Sequence, residues 1–309
     1  MDDINKSMKT ISPEFLIGEI LKMDRLLYLR IIKNKGSLKS LQVTREILAI
    51  RKNLKPEQIG AKEANRKNPN INKRLQNMVG LGILDVHKGR YSLSPIGHLL
   101  VDELTRLKSN IEIFREYEWF FNTHDYSVIP SQQFREIYKL WFAEQCENNF
   151  DYRREIERNT GNTSYGIHIA TEYLHDIPTW IIDELRQNHL TLKLTYQFKK
   201  PLKINSNDEE ELKLWRDLIR EVPPGLELRY SILEDRNPIG IRIIDDKWAI
   251  FSLYEKAEKK LNRPRSFYGT HEQFVAWIKN VFLDLWDKSK SFKRDEISEI
   301  LSFIQISDL

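Results

Sequence analysis

Between Asn68 and Gly97 the sequence runs NPNINKRLQNMVGLGILDVHKGRYSLSPIG, and its punctuation leaves few folds open. Asn68-Pro69 places a capping residue before a proline, which suits the first turn of a helix. Ile71, Leu75, Met78 and Val79 then share one face at helical spacing. Gly82 can end that helix in the left-handed conformation. Ile83 to Val86 and Tyr91 to Leu93 read as short strands on either side of the basic turn His87-Lys88-Gly89-Arg90. Ser94-Pro95 caps whatever helix follows.

Upstream, Leu16, Ile20, Met23, Leu27 and Ile31 recur every three or four residues, so 13–34 is expected to be helical. Gly36 ends it, Ser37 opens a second helical stretch to Arg51, and Pro56 starts a short third one to Asn65. Helix, helix and then a hairpin with a basic tip is the order of a winged helix-turn-helix, expected over 10–100. In that arrangement the second helix enters the major groove and the wing lies along phosphates or in the minor groove. At about 100° per residue, Lys73, Gln76 and Asn77 point away from the apolar face, with Asn70 and Arg74 on its flanks. Long cations and amides are the side chains that reach phosphates and base edges. With Lys88 and Arg90 on the wing, these seven are the expected DNA contacts.

Charge supports the same end of the chain. The net charge is only +4, but residues 1–100 hold 19 Lys+Arg against 9 Asp+Glu, and 101–309 hold 30 against 36. Between Arg51 and Arg74 there are eight basic residues and two acidic ones. A basic end on a mildly acidic body is the footprint of one domain that meets a polyanion and another that does not.

From Pro95 to Asn122 the pattern predicts a long helix, part of a helical connector over 101–149. Beyond it strands and helices alternate. Tyr165, Ile167 and Ile169 read as one strand face, then Leu192, Leu194, Tyr196 and Phe198, then Leu226, Leu228, Tyr230 and Ile232. Helices are expected between them at 178–188 and 208–221. Such alternation implies right-handed crossovers and a largely parallel sheet. Asp245-Asp246-Lys247 joins two further strands as a hairpin. Thr270 and Gln273 suggest a capping box ahead of a helix with Phe274, Trp277, Ile278, Val281, Phe282 and Leu285 inward. An α/β domain over 150–290 and a C-terminal helix over 291–309 complete an α+β chain.

Three segments resemble a known family. Leu81, Gly82, Ile83, Leu84, Tyr91, Leu93, Ser94, Pro95 and Gly97 resemble the recognition-helix-plus-wing segment of bacterial and archaeal winged-helix regulators. Phe121, His124, Asp125, Ile129 and Pro130 look like the opening of the middle domain of archaeal regulators related to the methanogenesis regulator. Asp246, Phe274, Phe282 and Trp286 look like the end of the phospholipase-D-like sensor domain of those regulators, a half-domain related to that of the TrmB regulators. The resemblance implies a dimeric regulator of double-stranded DNA whose sensor domain lacks catalysis. Glu255 to Pro264 stands where that family often has an aspartate–glycine turn, so no ligand specificity carries over.

Catalytic signatures do not appear. Phospholipase-D chemistry needs a histidine followed two residues later by lysine. His168, His175, His189 and His271 are followed at that position by Ala170, Ile177, Thr191 and Gln273. His124-Asp125 is an adjacent pair, and neighbours in sequence rarely point the same way. The single cysteine, Cys146, excludes a disulfide framework and multi-thiolate metal sites. No catalytic residue, metal or cofactor is expected. A small-molecule effector would sit at the carboxyl ends of the parallel strands, near Tyr173, Phe198, Lys200 and Arg236. No stretch approaches the roughly 20 apolar residues of a membrane span, and Met1-Asp2-Asp3 lacks the basic start of a signal peptide. A cytoplasmic protein is expected. An adaptor whose winged helix binds protein, and a phosphodiesterase, remain the alternatives.

Overall fold

The computed structural model describes residues 25–172, 179–187, 189–199, 223–233 and 237–291. The chain divides into two compact units, Met1–Ser109 and Asn110–Leu309. Helices and strands are mixed throughout, so the fold is α+β.

The first unit runs α1 (Arg25–Lys35), β1 (Leu38–Lys39), α2 (Ser40–Lys52), a 3-10 turn at Pro56–Gln58, α3 (Ala61–Gly80), β2 (Leu84–His87) and β3 (Arg90–Leu93). The strands form a sheet in the order β1-β3-β2, all antiparallel. This is the winged helix-turn-helix arrangement. Its core gathers Tyr28, Leu29 and Ile32 of α1, Val43 and Ile47 of α2, Leu75 and Met78 of α3, and Ile83, Leu84 and Tyr91 around the wing. Residues spaced three and four apart put each helix's apolar stripe on that core, whose burial stabilises the fold by roughly 1.5–3 kcal/mol per large side chain.

Helix α4 (Pro95–Glu116) follows the wing, and its start is fixed by close packing. The Ser94 hydroxyl donates to the carbonyl of Gly82 at 2.6 Å and accepts from the Gly97 amide at 3.0 Å. A Cβ at Gly97 would lie 2.1 Å from the Ile83 carbonyl oxygen, so the helix approaches the chain before β2 at a distance only glycine permits. The Ser-Pro-x-Gly motif is therefore a cap and a contact in one.

The second unit contains α5 (Glu118–Thr123), β4 (His124–Asp125), α6 (Ser131–Phe134), a 3-10 helix at Ile137–Phe142, β5 (Glu144–Gln145), α7 (Asn149–Thr160), β6 (Gly166–Thr171), α8 (Thr179–Arg186), β7 (Thr191–Lys199) and β8 (Leu226–Leu233). It continues with β9 (Gly240–Ile244), β10 (Trp248–Ser252), β11 (Tyr254–Glu255), β12 (Lys260–Leu261), β13 (Phe267–Gly269), α9 (Glu272–Lys288) and β14 (Lys290–Ser291). An eight-stranded sheet has the order β14-β8-β7-β6-β9-β10-β13-β5. Within it β6, β7 and β8 are parallel, as the alternation predicts, and the β9–β10 hairpin extends the sheet antiparallel to β6. Helix α9 buries Phe274, Trp277, Ile278, Val281 and Phe282 completely against one face, over Ile241, Ile243 and Phe251. The opposite face packs Ile244, Trp248 and Ile250 with Tyr152 and Ile156 of α7.

Local readings differ from the structure at several points. Asn68-Pro69 does not start a helix; α3 is continuous from Ala61, and Pro69 sits inside it on the exposed side. The missing amide costs one hydrogen bond at the solvent face, while the Asn68 side chain accepts from Thr44 on α2 at 3.1 Å instead of capping. Residues 38–39 form a strand ahead of α2, too short to show alternation. The helix from Pro95 stops at Glu116, where Tyr117 leaves helical geometry and sets its ring edge-on to Phe267 at 4.9 Å. His271, not Thr270, caps α9, its Nδ1 accepting from the Gln273 amide at 3.2 Å. Residues 101–149, read as a connector, contribute Ile113, Phe120, Phe121, Ile129, Ile137 and Leu140 to the second unit's core. The helices expected at 208–221 and 291–309 lie outside the described residues, apart from Ser291 in β14, as does most of 13–34.

Candidate nucleic-acid interface

Helix α3 turns Ile71, Leu75 and Met78 inward, and Lys62, Arg66, Asn70, Lys73, Gln76 and Asn77 lie exposed. At about 100° per residue Lys62, Arg66 and Lys73 fall within a narrow arc, with Gln76 and Asn77 on either side of it. Glu63 is the single acid of α3, and it is bonded to Lys52 at 2.8 Å on α2, which holds its carboxyl below the usual range. Other acids of this unit are similarly engaged: Glu46 with Lys35 at 2.9 Å, Asp102 with Lys33, and Glu103 with Arg106. Among the described residues no ion pair involves Lys62, Arg66, Lys73 or Lys88. The result is a cationic helix face whose positive charge is not cancelled locally.

The wing is a two-residue hairpin. Lys88 and Gly89 have φ of 48° and 72°, both in the left-handed region, as a type I′ turn requires. Glycine accepts that geometry freely; lysine does so at a cost of about 1 kcal/mol or more. The turn leaves Lys88 and Arg90 exposed.

The seven expected DNA contacts fall into two groups. Asn70, Lys73, Asn77 and Lys88 are exposed and point outward. The other three are engaged within the domain. Arg74 is half-buried, donates to the Tyr28 hydroxyl at 2.5 Å and stands over its ring. Gln76 donates to the Tyr91 hydroxyl at 2.5 Å, and Tyr91 in turn donates to Asn72 at 2.8 Å. Arg90 donates to the carbonyl and hydroxyl of Ser37, fastening β3 to the residue before β1. Lys62 and Arg66 were not among the expected contacts, because breaking the helix at Pro69 discards the register upstream. The three- and four-residue spacing of Lys62, Arg66, Pro69, Lys73 and Asn77 carries that signal.

In the second unit the catalytic candidates are occupied structurally. His124 is fully buried, its Nδ1 on the Phe120 carbonyl at 2.9 Å and its ring stacked on Phe120 at 4.1 Å. Burial holds its pKa below the usual value and outweighs the Phe120 bond, so it is neutral at pH 7. Asp125 accepts from the Ser127 amide and hydroxyl and from Asn237 at 2.8 Å, which closes a turn. Burial, with Asp151 and Glu155 nearby, pushes the Cys146 thiol up to about 12, which keeps it protonated and unreactive. Among the described residues no group of three or more His, Cys, Asp or Glu could hold a metal ion. No helix among them is long and apolar enough to cross a membrane. Of the expected ligand contacts, Tyr173, Lys200 and Arg236 lie outside the described residues, as does the side chain of Phe198, whose backbone belongs to β7.

No family model matches the sequence, and no curated protein matches it. Among solved structures the chain is similar to TrmBL2, an archaeal chromatin protein whose structure shows a novel mode of DNA binding. The identity is 14%, over 73% of this chain and 83% of that one, with a TM-score of 0.36. It is also similar to NucT from Helicobacter pylori, at 12% identity over 48% of this chain and 98% of that one, TM-score 0.35. Nuc from Salmonella typhimurium, a phospholipase D family member, matches at 10% identity over 46% and 90%, TM-score 0.33.

Proposed function

We propose that this chain is a sequence-specific DNA-binding transcriptional regulator, dimeric and cytoplasmic, with a non-catalytic sensor in its C-terminal domain. The observation that carries the reading is the uncancelled cationic face of α3 beside the exposed wing lysine. α3 would lie in the major groove, with Asn77 and Gln76 toward base edges and Lys62, Arg66 and Lys73 toward phosphates. Lys88 and Arg90 would follow the backbone beyond the groove. Exposed Ile96, Leu99, Leu107 and Ile111 at helical spacing on α4 suit a second copy of the chain, which would set the separation of two half-sites. The buried, neutral His124 and the protonated Cys146 support a sensor rather than an enzyme.

Retardation of duplex DNA by the full chain at moderate salt tests the reading. Charge removal at Lys73 or Lys88 is expected to weaken binding to every sequence, and Asn77→Ala to change which sequence is preferred. A chain that ignores duplex DNA at low salt would point to a winged helix that binds protein.

A further inference from the structure

We infer that the C-terminal domain binds a small organic anion with an apolar body, of the class of medium-length carboxylates, in a cavity at the carboxyl ends of β7 and β8. The cavity measures 540 Å³, inside the range of about 300–1,000 Å³ typical of small-ligand sites. Val128, Ile239 and Leu285 supply apolar walls, and Ser231, Lys288 and Lys290 supply polar ones. Gln197 also lines it, but both ends of its carboxamide are committed to the Ile239 backbone, donating at 2.7 Å and accepting at 3.2 Å. That clamp fixes the wall and leaves the Ser231 hydroxyl for an occupant.

The charge selects the ligand class. Lys288 is paired with Asp284 at 2.5 Å. Lys290 has no ion pair among the described residues, and pairing of β14 with β8 sets it opposite Tyr230 at the rim. One uncommitted cation above apolar walls suits a single negative charge on a hydrocarbon body. A polyol would leave most of its hydroxyls facing Val128, Ile239 and Leu285 without partners, which is costly. On the same face of β7, the buried Thr195 hydroxyl has no hydrogen-bond partner among the described residues. It lies two residues before Gln197 and extends the polar strip beyond it.

The inference rests on the proposed function only for its consequence at DNA; binding itself is measured without DNA, so either can fail alone. Calorimetric titration of the full chain with octanoate, 1-octanol and octylamine is the test. Octanoate is expected to saturate at one per chain and to bind about tenfold more tightly than the other two, the worth of one charge-assisted contact. Lys290→Glu, at an exposed position, should lower octanoate affinity about tenfold or more with the melting temperature and DNA retardation unchanged. Ser231→Trp, which puts a bulky ring into the cavity, should weaken binding of all three. Equal affinity for the three probes, or octanoate binding unaffected by Lys290→Glu, would overturn the assignment.

Discussion

The side-chain amide of Gln76 donates to the hydroxyl of Tyr91 at 2.5 Å, so the exposed face of α3 and the wing strand β3 are held in one register. Tyr91 is buried and its hydroxyl donates a hydrogen bond to the Asn72 side-chain oxygen, which makes that hydroxyl the hinge of a three-residue chain. Tyr91→Phe removes that hinge while keeping the ring in the core. Gln76 and Asn72 regain water, so the expected cost is about 1 kcal/mol in thermal denaturation. Sequence preference should broaden as Gln76 loses its orientation, with the salt dependence of DNA binding unchanged.

Lys88 sits in a left-handed conformation at the tip of the wing, where asparagine is the favoured residue before glycine. Lys88→Asn should therefore stabilise the domain by about 1 kcal/mol and at the same time weaken DNA binding. A parallel melting curve and binding isotherm check the pair. If affinity holds while stability rises, the lysine is not a phosphate contact.

Asp245, at the β9–β10 turn, accepts from the amides of Ser164, Tyr165 and Gly166 at 2.8–3.0 Å. Burial raises its pKa, but the three amide bonds outweigh it and hold the carboxyl below its ordinary value. Because the folded value is the lower one, this stabilisation is present above the unfolded value near pH 4 and is lost as pH falls through the folded value. Asp245→Ala should cost on the order of 3 kcal/mol at pH 7, and the gap from wild type should narrow on acidification. Denaturation curves between pH 7 and 3 measure it; a gap independent of pH would show that the carboxylate charge is irrelevant.

Gly97→Ala forces a methyl toward the Ile83 carbonyl, and backbone must move to admit it. Destabilisation of about 1–3 kcal/mol is expected, with α4 displaced from the start of β2. Thermal melting of the variant shows the size of the effect.

The wing and the parallel strands were legible because each rests on local chemistry: glycine before the hairpin, Lys88-Gly89 within it, and hydrophobic alternation along β6 and β7. The register of α3 upstream of Pro69 was not. Proline reads as a boundary wherever its solvent-side position is unknown, and exposure belongs to the tertiary fold. Residues 101–149 look amphipathic in isolation; only contact with α9 shows that Phe120 and Leu140 belong to a core. Cap identity at His271 and the engagement of Arg74 by Tyr28 depend on partners 2 and 46 residues away, distances that periodicity does not resolve. At the candidate interface, residue type and helical face were readable, but not which of those side chains the domain itself uses.

The central claim is that α3 and the wing meet DNA phosphates, and counterion release measures it directly. Affinity of the dimeric chain for a duplex carrying two half-sites, followed against salt concentration, should fall with a logarithmic slope of roughly −9 if Lys62, Arg66, Lys73, Lys88 and Arg90 of each copy neutralise a phosphate. Each single replacement by alanine, present in both copies, should reduce that slope by about 2. A slope near zero, or one that none of these five substitutions changes, would contradict the account.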